Sequence, residues 1–247
     1  MSILKNEFSD MTLPREKLYG IFRGIVEDNL DPEQQGRCKI RVFGVHSQNK
    51  IKTSTDGIPT DELLWAEPVL SLIEGSITGQ GLFSVPLVNS HVFVFFESGH
   101  ILQPRYFATV PAKGDWNTKV STYPHNIVLE THAGHYIEID SSPSNERIKV
   151  YHKTGTLSEI DKDGNIQITG VKNETINITD NVTRTVGGTF KDDVTGDVTE
   201  TFKSNWNVNV TGNISITSSS DITVQGVNVN VTASGVCTIS GSPVNIN

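Results

Sequence analysis

Between Ile178 and Ile222 large apolar residues recur every four positions, and this spacing restricts the possible folds more than any other feature of the chain. Aligned in eights, Ile178-x-Asp180, Val186-x-Gly188, Val194-x-Gly196, Phe202-x-Ser204, Val210-x-Gly212 and Ser218-x-Ser220 stack on one another. Midway between them fall Val182, Phe190, Val198, Trp206, Ile214 and Ile222. Such self-similarity marks a repeat architecture. A period of four lies near the 3.6 of a helix, but a strict four-residue spacing drifts around a helix surface. Val, Ile, Thr, Asn and Gly are also poor helix formers. Strand wins.

Only two residues in each eight belong to this stripe, no Leu follows Leu157, and the only proline of the region is Pro243. One chain cannot build a self-sufficient core from so little. Three copies wound about a common axis can, each giving one large side chain per level. The expected inward residues are Val186, Phe190, Val194, Val198, Phe202, Trp206, Val210 and Ile214. The fold expected is all-β, with the C-terminal part an intertwined triple-stranded β-helix, a β-prism, formed by a homotrimer.

The rest of the chain divides into zones. Residues 1–17 read as a polar arm. From 18 to 120, short strands alternate with turn clusters. Arg37–Phe43 alternates cleanly, with Cys38, Ile40 and Val42 on one face and charges on the other. His91–Phe96 is the strongest strand, and its run of Phe93, Phe95 and Phe96 reads as core. About five strands in roughly 90 residues suggest a small closed barrel of the OB type. Residues 121–168 form a neck of hairpins separated by turns such as Ala133-Gly134 and Asp163-Gly164. Residues 169–247 are the needle and its tip. Past Gln225 the octad breaks, and Val227, Val229 and Val231 alternate with Asn228 and Asn230.

Composition excludes several functions. Twenty basic against 28 acidic residues give a net charge of -8, with no basic run to hold nucleic acid or an anionic membrane. Cys38 and Cys237 are too widely spaced for a ligand pair. No signal-peptide core is evident near the start, which suggests cytoplasmic synthesis. Asp161-Lys-Asp-Gly-Asn165 lacks the spacing of an EF-hand, since Gly164 is fourth and Lys172 twelfth, so a hairpin turn is expected. His132 and His135 have no third ligand nearby, and His46 and His152 read as surface histidines. Gly79-Gln-Gly81 reads as a loop. Asp192, Asp193 and Asp197 read as solvated charges, because an octad is too short for the wide coil of a glycan-cleaving solenoid.

With these elements placed, Gly24-Ile-Val-Glu-Asp-Asn-Leu-Asp-Pro-Glu-Gln-Gln-Gly-Arg-Cys-Lys-Ile-Arg-Val-Phe-Gly-Val-His-Ser47 resembles the opening of the OB domain in central spike proteins of contractile phage tails, a family that includes the VgrG spikes of type VI secretion. Leu64-Trp-Ala-Glu-Pro-Val69, Gly79-Gln-Gly81, and Pro86 through Phe96 with Gly99 and Pro104 resemble its next blocks. Gly134–Asp140, Asn145–Gly155 and Glu159–Asn165 resemble the neck leading into its β-helix. Asn89 stands where a Gly is usual, and His100 where an Asp is usual.

The resemblance implies a mechanical spike at the centre of a baseplate in the virion, with the barrels docking on a hub or tail tube. It implies no catalytic residue, cofactor or metal. Some phage relatives carry a lysozyme domain between barrel and needle, and the short connection here leaves no room for one. A secretion-system spike and a tail depolymerase acting on host surface glycan are the alternatives. The terminal Gly241-Ser-Pro-Val-Asn-Ile-Asn247 resembles the blunt ends of relatives capped by a PAAR-like tip protein. Val244, Asn245, Ile246 and Asn247 are therefore the expected docking residues.

Overall fold

The computed structural model describes residues 17–72, 79–115, 117 and 119–245. The expected arm before Lys17 and the tip residues Ile246 and Asn247 lie outside them.

Five strands, β1 (Phe22–Asp28), β2 (Cys38–Val42), β3 (Trp65–Pro68), β4 (His91–Phe96) and β5 (Pro104–Thr109), close a barrel in the order β1-β2-β3-β5-β4. Neighbours pair antiparallel except β3 with β5, where Glu67 and Pro68 lie parallel to Arg105 and Tyr106. Closure leaves no unpaired edge. Val26, Cys38, Ile40, Val42, Ala66, Val92, Val94, Phe96 and Tyr106 fill the interior. Each fully buried aliphatic side chain of this kind contributes about 1.5–3 kcal/mol.

Period-two alternation corrects the reading of β4. Only Phe96 of its three phenylalanines points inward, because Val92 and Val94 occupy the other inward positions. Phe93 and Phe95 lie half-buried on the outer surface against Phe107, with ring centroids 5.8 and 6.0 Å apart.

The charged face of β2 is not simply solvated either. Arg41 is 1% exposed and pairs with Glu27 at 2.8 Å. Its guanidinium also donates to the carbonyls of Ser47 and Ile58, at 2.6 and 2.7 Å, pinning both ends of the long β2–β3 connection. Burial pushes the Glu27 carboxyl up, but hydrogen bonds from Arg41, Lys50 and Thr60 outweigh it and hold the pKa at about 2. A second carboxylate, Asp31, accepts the backbone N–H of Glu33, Gln35 and Arg37 and pairs with the Arg37 guanidinium, shaping the turn before β2. That pairing holds Asp31 well below the usual carboxylate range.

Asn89 adopts φ 73°, the left-handed region that Asn tolerates better than most side chains. The departure from Gly at this turn is thus accommodated. His46, expected at the surface, is half-buried and accepts the Val42 N–H at 3.0 Å.

The hairpin zone is a five-stranded antiparallel meander. It comprises β6 (Asn126–Glu130), β7 (Tyr136–Asp140), β8 (Arg147–Tyr151), β9 (Leu157–Ile160) and β10 (Ile166–Thr169) in sequential order. β10 crosses the expected boundary at residue 168, and the chain divides into compact units between Asn177 and Ile178.

Register sorts the meander's side chains into rows. On one face lie Ile127, Ile139, Ile148, Ile160 and Ile166, one from each strand, beside Leu129, Ile137, Val150, Ser158 and Ile168. On the other face Glu138 and Asp140 pair with Arg147, at 3.1 and 3.5 Å, and Lys149 pairs with Glu159 at 3.0 Å. Asn126 donates to Glu138, and Thr122 donates to Asp140 from the incoming segment. Glu138 and Asp140 are buried, whereas the nine aliphatic residues of the opposite face are 40–72% exposed. An antiparallel sheet with one solvated face normally presents polar side chains there. This one is reversed.

Candidate functional site

Among the described residues after Thr169, none pairs as a strand within this chain, and all from 171 to 245 are exposed. The backbone is nevertheless regular. It bends at 171–172, 179–180, 187–188, 195–196, 203–204, 211–212 and 219–220, one bend every eight residues. Each bend from 179 to 220 falls at the small or turn-forming residue that the sequence places two after the first large residue of an octad. At Gly187, Gly188, Gly196 and Gly212 an added Cβ would meet nothing within 4 Å. Crowding within the single chain therefore does not demand glycine there, whereas ease of bending is something glycine supplies.

The eight expected inward residues, from Val186 to Ile214, are 45–66% exposed in the single chain. Of these, Phe202 and Trp206 meet: their rings stack 5.6 Å apart at an interplanar angle of 7°. The guanidinium of Arg184 lies 3.9 Å from the centre of the Phe190 ring. Residues four apart across a bend thus share one side of the chain. The stripe is chemically inert, with no titratable group among its eight members, and what it offers is apolar surface.

Beyond Gln225 the large apolar residues leave their octad positions, as the sequence indicates, but the bends persist at 227, 234–235 and 242–243. Gly226, Ser234 and Ser242 now hold the slot of the first large residue, so bend-forming chemistry continues after the stripe has ended. Val244 is 44% exposed and Asn245 is exposed, just past the last bend.

Groups with chemical potential elsewhere are tied into structure. The Asp161 carboxylate accepts the N–H of Asp163 and Asn165 and the Asn165 side-chain amide, as a hairpin turn requires. Burial pushes the Cys38 thiol up to about 11, which makes it a poor nucleophile. The Tyr106 hydroxyl donates to the Gly36 carbonyl at 2.6 Å inside the barrel. Among the described residues, no three His, Cys, Asp or Glu side chains converge on a point.

Hairpin pairing brings together two histidines that are distant in sequence. His135 and His152 face each other with ring centroids 4.3 Å apart, and His135 Nδ1 accepts the Lys153 N–H at 3.4 Å. Desolvation, then the charges of His152 and Lys153, hold His135 below the usual histidine value. The clue lay in register: once Tyr136 pairs with Tyr151, the flanking histidines must meet.

A closed five-stranded barrel of this order, with one parallel pair, followed by a meander and an eight-residue repeat, defines an OB-barrel protein with a C-terminal octad repeat. The kind of OB domain follows from comparison: residues 44–113 match the Gp5 N-terminal OB domain family. The chain is 26% identical over 266 aligned positions to Protein Gp5 of Vibrio phage KVP40, an alignment covering 67% of this chain and 62% of that protein. It is 35% identical over 60 residues to the pre-baseplate central spike protein Gp5 of Enterobacteria phage T4, covering 24% of this chain and 10% of that one. Part of the barrel is thus similar to the Gp5 N-terminal OB domain, and the chain is similar to two phage proteins named Gp5, of which the T4 one is a pre-baseplate central spike protein. It spans less than two thirds of the length of either relative.

Proposed function

We propose that this chain is a structural spike of a contractile-tail baseplate, assembled as a homotrimer, whose C-terminal repeat pierces the host envelope when the sheath contracts. The observation that carries the reading is the coincidence of two periods in residues 178–222. Bends every eight residues lie in step with large apolar residues every four, and all of these are exposed in one chain. Three chains closing their stripes on one axis would bury them at every level, and burial repeated along the array adds up to stiffness. The barrel, complete within one chain, would form a collar against hub or tail-tube proteins.

The mechanism is force transmission. The inward residues fill the axis, Asn, Thr and Asp cover the outside, and no step makes or breaks a covalent bond. β5 ends at Thr109 and β6 begins at Asn126, a connection too short for a folded enzyme domain between them. The tip residues Val244 to Asn247 are proposed to receive a small PAAR-like capping protein, since Val244 is exposed past the last bend and apolar surface of this kind is what proteins normally cover.

Native mass measurement of the full chain tests the reading. A trimer at micromolar concentration is expected, and a stable folded monomer would overturn it. Release of sugar from cell-wall or envelope glycan by the pure protein would favour the depolymerase. A tip partner that binds equally well to protein ending at Ser240 would remove the docking role of the last residues.

A further inference from the structure

We propose that residues 1–16 dock on the outer face of their own barrel, over the phenylalanines of β4 and β5. The inference concerns the barrel alone and holds whether or not the repeat assembles.

The pleat that turns Phe93 and Phe95 outward gives the outside of the barrel an apolar patch. Phe93 lies across from Phe107 on β5 and from Arg23 on β1. Phe22 pairs with Val94, so Ile21, the residue before it, stands beside Phe95. Ile21 is 63% exposed. At the same end of the barrel Tyr19, whose ring packs against Gly99, is 67% exposed, and Leu102 in the β4–β5 turn is 62% exposed. Phe, Tyr and aliphatic side chains around an Arg have the composition of a contact surface.

The position of Leu18 selects the occupant. Its N–H donates to the Gly99 carbonyl at 3.0 Å, and its side chain packs on the barrel core. Residues 1–16 are therefore tethered at the rim of the patch. From the end of β4 back to Phe93 is on the order of 10 Å, whereas a segment of this length, fully extended, spans on the order of 50 Å. A tether also holds its segment near the patch at an effective concentration of millimolar order, with which any free partner has to compete.

The chemistry of the two surfaces agrees. Residues 1–16 carry Ile3, Leu4, Phe8, Met11 and Leu13, with Glu7 and Asp10 flanking Phe8. On the patch, Arg23 Nε donates to His91 Nδ1 at 2.9 Å and Nη2 to the Val110 carbonyl at 3.4 Å, both neutral acceptors. Among the described residues no carboxylate pairs with Arg23, whereas Arg105 is paired with Glu67 and Glu97. Phe8 seated on the phenylalanines brings a carboxylate within reach of Arg23, and a charge-assisted hydrogen bond replaces hydration there.

The test footprints the full chain with hydroxyl radicals beside a version lacking residues 1–16. Removal is expected to raise labelling of Phe93, Phe95 and Phe107 at least three-fold. Equal labelling in the two proteins overturns the inference: if high, the face is bare, and if low, a second copy or another protein covers it. Phe8→Ser combined with Met11→Ser, which leaves the barrel sequence intact, should raise the same labelling if the shortened protein fails to fold, and no rise again overturns the inference. Photoreactive benzoylphenylalanine in place of Phe8, in full chains co-expressed in isotopically light and heavy forms, locates the segment. Coupling to residues 19–23, 91–96 or 102–107 of the same chain is expected. Coupling between light and heavy chains, or only to residues elsewhere, overturns the inference even where the footprints differ.

Discussion

Valine behaves in opposite ways at the two ends of this chain. In the barrel Val26 and Val94 are 0% exposed, sealed by strands of the same chain. In the repeat Val186, Val194 and Val198 are 45–66% exposed, and Val227 is fully exposed. The barrel closes on itself because its fifth neighbour in the order, β4, returns to β1. The repeat never returns, since each octad moves on and bends with no strand beside it. One region finds its core by long-range pairing within a chain, and the other, on the proposed reading, would find it between chains. Hydrophobicity alone does not distinguish them; topology does.

The sharpest way to break this contrast is Val198→Asp. On the proposed axis it places three like charges at one level, each costing several kcal/mol even after relaxation. Loss of the trimer in native mass spectra is expected, with the barrel still folded. An unchanged melting temperature would show that Val198 does not face the axis.

The barrel has its own weak point in Arg41→Ala. Removing the guanidinium leaves Glu27 buried without its main partner and frees both ends of the β2–β3 connection, at a cost of about 3–5 kcal/mol. A lower barrel melting temperature with assembly intact is expected. Separating the regions extends the comparison: residues 1–120 alone should melt cooperatively as a monomer, while a fragment from Ile168 should associate. The reverse outcome would exchange their roles.

Acid should act more gently. The Glu27 carboxyl, held at about 2 when folded against 4.5 ordinarily, stabilises the barrel fully above pH 4.5 and loses this effect as pH falls toward 2. Glu27→Gln should flatten that slope in melts taken across the interval. The smallest effect belongs to His135. Its folded pKa lies below 6.5, so the unfolded chain binds the proton more readily and stability declines as pH drops below 6.5. His135→Gln should remove that decline, and a slope that persists would locate it elsewhere.

Much of this was legible in the sequence because it is periodic. The strands of the barrel and meander, and the octads with their bends, follow from alternation and repetition that a reader can count. What escaped was set by partners distant along the chain. Arg41 alternates like a solvated residue, yet Glu27 and two carbonyls of a distant loop enclose it. Phe93 and Phe95 sit in an apolar run, yet the pleat turns them outward. The polar and apolar faces of the meander are plain from alternation. Which face the chain itself would cover was not, because Thr122 and the ion pairs of Arg147 decide it.

The shared period of bends and side chains has an evolutionary consequence. Deleting or duplicating any eight consecutive residues between 179 and 220 returns every later bend and large residue to an equivalent slot. A four-residue change exchanges the two slots and moves a bend to a level that lacks one. Slippage between repeated coding segments can therefore lengthen or shorten this part of the protein in whole octads without any new interaction having to be invented. If identical copies assemble as proposed, all of them change together, being products of one gene. The length of the repeat then becomes a discrete, heritable quantity, while the barrel sequence stays as it is.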